Sequence, residues 1–392
     1  MNRRSAGNIL LLTELYPPAI GGSAVLLENV YSRVETPVTV FADRRVSGKG
    51  AQGPGTERLR WTDIDGRHRG VRHPAEWRQH SALARMLRRA STAGSVVHCG
   101  RPLPEGLAGL AGRMTLFGRR LPYVCWAHGE ELTAALTSRE HRMLASVVCR
   151  KASLMLTSSR FAGSVVESLG VPSSRIRVIH PGVNPDRFRP DIDGSALRKK
   201  YAPDADCVLL TVGRLQRRKG HDRTIAALGR IRSEFPGLRY LIAGDGTERS
   251  RLEQLTVEHG VTDLVRFLGP VADDDIPGLY AACDVFLMPA RQDGADVEGF
   301  GIVYLEAAAV GKPTIGGRSG GVGEAIADGT TGLLVNGDSV DEVAAAIRHL
   351  AGSREIRQQM GDAGRQRVLA EFQWTRAAAQ LDAAQAEVLG LR

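Results

Sequence analysis

The chain alternates short apolar runs with amphipathic stretches along its length. In the first half the runs are "NILLLTE", "PVTVFAD", "GSVVHCG", "LPYVCWAHG", "ASLMLTSS" and "IRVIHPG". In the second they are "CVLLTVGRL", "LRYLIAGDG", "VRFLGP", "VFLMPA", "PTIGG" and "GLLVN". Runs this short and this continuously rich in Val, Ile and Leu predict strands buried on both faces of a parallel sheet. The stretches between them predict helices. In "DRTIAALGRIRSEFP", Ile225, Leu228, Ile231 and Phe235 recur at helical spacing before a proline stop. Two such series predict an α/β chain of two Rossmann-like domains rather than one large sheet. The polar, proline-bearing segment 184–206 reads as the junction. Residues 1–190 and 191–374 are then the two domains. The final helix, with Trp374, Leu381, Val388 and Leu389, makes 375–392 a candidate to rejoin the first.

Sheets of this kind bind ligands at the carboxyl ends of their strands, where helix N-termini offer free N–H groups. Gly21 and Gly22 follow the first run and would let backbone approach a phosphate; a plain turn reads the same way. Arg214 and Lys219 flank the turn after "CVLLTV" and could converge on a diphosphate, or form a solvated basic turn. Arg217 and Arg218 beside them are expected to point to water. His128 ends another run, placed either to bond a sugar hydroxyl or to cap the following helix.

The stretch "DVEGFGIVYLEAAAVGKP" carries Glu298 and Glu306. Eight residues is about 80° away from one helical face. With Glu298 in a loop and Glu306 in a helix beginning near Ile302, the two acids can flank the helix N-terminus. A phosphate on the Phe300 to Ile302 amides would then have a carboxylate on each side. Carboxylates accept from vicinal hydroxyls. Hydroxyls, diphosphate, hydroxyls: that is the shape of a nucleotide sugar.

Composition sets the class. At 392 residues, 43% hydrophobic and 24% charged, the chain suits two soluble domains. No apolar run approaches the ~18 residues that span a bilayer. The apolar stretch near the start ends at Glu14, too early for a signal peptide. Five dispersed cysteines without a C-x-x-C pair read as reduced thiols of a cytoplasmic protein, with neither a disulfide framework nor a zinc site. The net charge of +9 divides into +15 for residues 1–200 and −6 for the rest. The basic half either faces an anionic partner, such as a lipid surface, or carries arginine on solvated faces. Few aromatics interleave with the basic clusters, so nucleic acid is not expected.

The segment E-G-F-G-I-V-Y-L-E resembles the E-x7-E motif of the retaining glycosyltransferases of family four, which have the GT-B fold. "YPPAIGG", "AHGEE", "VIHPGVNPDRFRP", "VGRLQRRKG", "LIAGDG", "VRFLGPV", "AACDVFLMPA" and "GLLV" follow the family's landmarks in order over nearly the whole chain. Within the family, the bacterial α-mannosyltransferases of phosphatidylinositol mannoside synthesis are the most similar. The resemblance implies two domains facing across a cleft. It implies that Arg214 and Lys219, with backbone at Gly21 and Gly22, bind the donor diphosphate and that Glu306 accepts from the ribose. Glu298 would hold the transferred sugar, with Gly299, Phe300, Gly301 and Ile302 around sugar and phosphate, and His128 would approach the reacting centre. One departure stands out: those relatives read H-G-H-E where this chain has His128-Gly129-Glu130-Glu131.

The expected reaction is transfer of a hexose, mannose from GDP-mannose, with retention to a lipid-linked or polysaccharide acceptor. No cofactor or metal is expected, because cations and amides can neutralise the diphosphate. The acidic pairs Asp63/Asp65, Asp191/Asp193 and Asp204/Asp206 lie in polar loops and read as chance. The location implied is cytoplasmic, with peripheral association at the inner membrane face. Rival readings keep the fold with UDP-glucose or UDP-GlcNAc or as a pseudo-glycosyltransferase, or make the chain a basic nucleic-acid- or membrane-binding module without catalysis.

Overall fold

A computed structural model describes residues 7–17, 21–43, 59–62, 74–114 and 121–391. The chain divides into two compact units, Met1–Pro181 with Trp374–Arg392, and Gly182–Gln373.

The first unit holds a parallel sheet of seven strands: β1 (Asn8–Thr13), β2 (Val38–Asp43), β3 (Leu59–Thr62), β4 (Ser95–Cys99), β5 (Tyr123–Ala127), β6 (Leu154–Thr157) and β7 (Ile176–Val178). Their spatial order is β3-β2-β1-β4-β5-β6-β7. The second unit holds six: β8 (Cys207–Val212), β9 (Leu238–Ala243), β10 (Val265–Gly269), β11 (Val285–Met288), β12 (Thr314–Gly317) and β13 (Gly332–Val335), ordered β10-β9-β8-β11-β12-β13. Both orders reverse direction beside their first strand, between β1 and β4 and between β8 and β11. Those are the topological switch points where α/β sheets take ligands.

The continuous apolar runs have the physical cause their pattern implied. Along β8, Val208 and Leu210 enter the core on one face of the sheet, while Cys207 and Leu209 enter the core on the other. A strand sandwiched this way has no polar face. All five cysteines are buried and unpaired.

Two sequence expectations need correcting. Segment 184–206 is not a linker. The division falls at Pro181 and not at residue 190, because Val183, Phe188 and Ala202 are packed into the core of the second unit. Arg365 Nη1 donates to the Phe188 carbonyl at 3.0 Å, and Arg198 pairs with Asp284 at 2.8 Å. The first sheet also has one strand more than the apolar runs showed. β3, "LRWT", is a four-residue edge strand pairing β2 alone.

The last helix, Trp374–Leu389, belongs to the first unit. Asp382 accepts from the Glu35 amide at 2.9 Å and from the Thr36 hydroxyl at 2.7 Å, and Gln385 Oε1 meets His98 Nε2 at 2.9 Å. Trp126 Nε1 can only donate, so Tyr31 Oη accepts from it at 2.8 Å and must give its own proton to His98 Nδ1 at 2.7 Å. His98 therefore donates from Nε2 to Gln385. The returning helix is tied to the centre of the sheet through a single allowed proton order.

Candidate active site

In the second unit the exits of β8 and β11 are built against each other. After Val212 the chain passes Arg214, which is exposed, and coils through the short turn Arg217–Lys219. Gly220 follows with φ +77°, and a Cβ there would stand 2.2 Å from the Pro289 carbonyl oxygen. Only glycine lets the turn lie this close to the β11 exit. The contact is fixed twice more. The Arg291 amide donates to the Arg218 carbonyl at 2.8 Å, and the Arg291 guanidinium grips the Asp222 carboxylate at 2.8 and 3.0 Å.

Glu298 enters this frame from the loop after β11. Its Oε2 accepts from Lys219 Nζ and from Arg218 Nη1, each at 2.5 Å. Arg218 Nε lies 2.8 Å from Asp296 Oδ1. Burial alone would raise the Glu298 carboxyl, but the charges of Lys219 and Arg218 overcome it and hold it down to about 2. Lys219 is pulled below the ordinary lysine value by burial, against the opposing charge of Glu298. Arg218, expected in water, is therefore 4% exposed and part of the site; its neighbour Arg217 is the exposed one, 3.9 Å from Asp293.

The loop then closes on a helix. Gly301 is the N-cap of Ile302–Ala309 at φ +89°, with no side-chain cap, and a Cβ on it would meet the Tyr304 ring at 2.5 Å. The amide end of this helix is thus available to an anion. Gly299 precedes it. The Phe300 side chain points away into the core, 5.9 Å from the Phe372 ring, so only its backbone can serve a ligand. Glu306 lies in the second turn, where its Oε2 accepts from Tyr280 Oη at 2.7 Å. Burial raises the Glu306 carboxyl, and the Tyr280 hydrogen bond offsets that only in part.

The first unit carries the remaining predicted residues. Gly21 precedes the helix Gly22–Tyr31 at φ +154° and has no side-chain cap; a Cβ on it would touch nothing within 4 Å. His128 follows β5. Its ring stacks on Trp126 at 5.9 Å between centroids, and its Nε2 donates to the Gly100 carbonyl at 3.2 Å. That bond leaves Nδ1 unprotonated and able to accept. Burial lowers the His128 pKa, against the charge of Glu131, so the ring is neutral. His128 does not cap the following helix: its N-cap is Gly129, without a side-chain cap, and Glu131 in the first turn accepts from the His128 amide at 2.6 Å. At the neighbouring strand ends Arg101 is paired with Glu14 and with the fully buried Glu105.

The structure thus brings Arg214, Lys219, Glu298, Gly299, Phe300, Gly301, Ile302 and Glu306 into one unit and leaves Gly21, Gly22 and His128 in the other. The sequence reading missed Arg218, Asp296, Tyr280 and the Arg291–Asp222 clamp. The signal available was the run Arg217-Arg218-Lys219, which offers a second cation next to the lysine without saying which arginine faces inward. Asp193 is spent on the Ser195 amide and Asp191 on Arg189. Asp63 and Asp65 lie outside the described residues. Among the described residues no group of three His, Cys, Asp or Glu could hold a metal ion.

Comparisons with known proteins bear on the family and the fold. Residues 195–367 match the family Glycosyl transferases group 1, and residues 25–187 match Glycosyltransferase Family 4. The chain is 34% identical over 381 residues, 95% of its length and 97% of the relative's, to the GDP-mannose-dependent alpha-(1-6)-phosphatidylinositol monomannoside mannosyltransferase of Mycolicibacterium smegmatis. It is 43% identical over 228 residues to the Mycobacterium tuberculosis protein of that name, a match spanning 58% of that relative. Among solved structures, HepE of Anabaena in complex with UDP superposes with a TM-score of 0.79 at 21% identity, over 98% of this chain and 100% of that one. The sequence match along nearly the whole chain and the shared two-domain fold place this protein in glycosyltransferase family four, with the GT-B architecture.

Proposed function

We propose that this protein is a retaining α-mannosyltransferase. It takes mannose from GDP-mannose and places it on a hydroxyl of a lipid-linked acceptor of the phosphatidylinositol mannoside type. The observation that carries the reading is the buried Lys219–Glu298 pair beside Arg214, where β8 and β11 part. A cation and an acid, each desolvated, at the mouth of an unblocked helix N-terminus suit a molecule that is anionic at one point and hydroxylated at the next. Arg214, Lys219 and the Gly301–Ile302 helix start take the diphosphate, with backbone at Gly21 and Gly22 assisting. Glu306 takes the ribose and Glu298 the mannose. His128 is assigned to the transferred sugar, its bare Nδ1 accepting a hydroxyl.

The acceptor oxygen attacks on the face the diphosphate leaves, and a phosphate oxygen takes its proton. No metal takes part: developing charge on the leaving group meets the cations of Arg214 and Lys219 and a helix dipole. The names of the relatives support mannose and the lipid acceptor. Peripheral association with the inner face of the membrane is supported by the helix Pro74–Ala90, where Arg78, Arg85 and Arg89 are exposed beside Trp77, itself 61% exposed. Among the described residues no helix is long and apolar enough to cross a membrane.

The test is turnover with GDP-mannose, UDP-glucose, UDP-GlcNAc and ADP-glucose, with and without vesicles holding phosphatidylinositol mannoside, reading released nucleotide and the anomeric configuration of the product. GDP release that needs the vesicles and yields an α-linked product is expected. Release from a UDP-sugar in its place would refute the donor, and no release from any donor would refute the activity.

A further inference from the structure

Four charged groups meet at the end of the Arg217–Lys219 turn, two of each sign. Arg218 spans both acids, Nη1 on Glu298 and Nε on Asp296, whereas Lys219 touches Glu298 alone and shares Oε2 with Arg218. The arginine is also held through its backbone, by the Arg291 amide at 2.8 Å, and Arg291 is locked on Asp222. A planar fork set between two carboxylates, on a backbone pinned at its carbonyl, is restrained in place, whereas a lysine on a flexible stem can turn.

The lysine charge is spent on a carboxylate, Glu298. An arriving diphosphate must compete with Glu298 for it. Were Lys219 the sole partner, its departure would strand a buried, uncompensated acid, which is strongly unfavourable. Here Arg218 stays behind on the same oxygen. Glu298 Oε1, with no partner among the described residues, remains open to a sugar hydroxyl.

We propose that Arg218 is a positioning residue: it holds Glu298 ionised and in place while Lys219 exchanges that carboxylate for the donor diphosphate. The inference rests on the donor site proposed above. It assigns Arg218 no contact with the donor. Its effect on nucleotide affinity passes through Glu298 and therefore vanishes when Glu298 carries no charge.

The experiment is a double-mutant cycle read as GDP affinity by calorimetry, with melting curves for each variant as the check on folding. R218Q leaves Lys219 as the only counter-charge of Glu298 and is expected to weaken GDP about tenfold, within the range of coupled neighbours. E298Q frees Lys219 and binds GDP at least as tightly as wild type. The double variant R218Q/E298Q returns to within about twofold of wild type. Should R218Q not fold, R218K keeps the charge without the fork and is expected to show an intermediate loss. Additive losses, with the double variant weaker than either single one, would overturn the proposal, as would an R218Q affinity equal to wild type. Wild-type protein that binds none of GDP, UDP and ADP overturns the donor reading and this inference together, so the two failures are distinguishable.

Discussion

Glu298 and Glu306 belong to one short motif and sit at one helix start, yet their surroundings are opposite. Glu298 is met by two cations and held well below the ordinary carboxyl range. Glu306 is met by a phenol and raised by burial. Each spends one oxygen, Oε2, on the protein. The difference teaches what each can do. An acid neutralised by cations carries no net charge to a passing diphosphate and can stand beside it. An acid held by a neutral hydroxyl keeps its full appetite for donors, which suits a pair of ribose hydroxyls.

The sharpest break in that comparison is Glu298→Ala. It removes from Arg218 and Lys219, both under 10% exposed, the carboxylate they share, and leaves the half-exposed Asp296 beside Arg218. Loss of one partner from a buried ion cluster costs about 3–5 kcal/mol. The denaturation midpoint should fall accordingly, and mannose transfer should drop by roughly 10²-fold or more. GDP should raise the midpoint of this variant more than that of wild type, because its phosphates replace the missing anion. A variant as stable as wild type would mean that the two cations find other partners, and the cluster would lose its place in the argument.

Why Arg218 escaped a sequence reading is clear from where its partners lie. It is adjacent to Arg217 in the chain, but its acid is 80 residues away, brought in by the β8–β11 crossover. Composition of the turn cannot say which arginine faces inward. The strands, by contrast, announced themselves, since burial on both faces writes a run of apolar residues into each. β3 did not, because four residues at a sheet edge carry no such run. Segment 184–206 misled for the converse reason: a polar, proline-rich stretch anchored by Phe188 has the composition of a linker and the packing of a core. The Glu298–Glu306 spacing was legible, and so was the helix start at Ile302. The counter-charges were not.

Glu306→Ala is the intermediate case. The Tyr280 hydroxyl, fully buried, loses its acceptor, at a cost of about 1–3 kcal/mol. Loss of charge-assisted bonds to the ribose should weaken GDP by roughly tenfold or more. Inorganic pyrophosphate has no ribose, so its affinity should stay within about twofold. Equal losses for GDP and pyrophosphate would move Glu306 from the ribose to the diphosphate.

The smallest effect is on pH dependence, and there the two acids act in opposite senses. Glu298 titrates lower folded than unfolded, so its contribution to stability is present above the ordinary carboxyl value and fades as pH falls toward about 2. Glu306 titrates higher folded than unfolded. The folded state then holds the proton more tightly, so its contribution is complete at low pH and fades as pH rises past the ordinary carboxyl value, about 4.3. The two windows adjoin, one below that value and one above it. Denaturant titrations of wild type, Glu298→Gln and Glu306→Gln across both windows separate them: Glu298→Gln should flatten the acid side only, and Glu306→Gln only the side above. Parallel curves for Glu306→Gln and wild type above that value would show that Tyr280 fully offsets the burial, leaving Glu306 an ordinary acid and the contrast between the two resting on Glu298 alone.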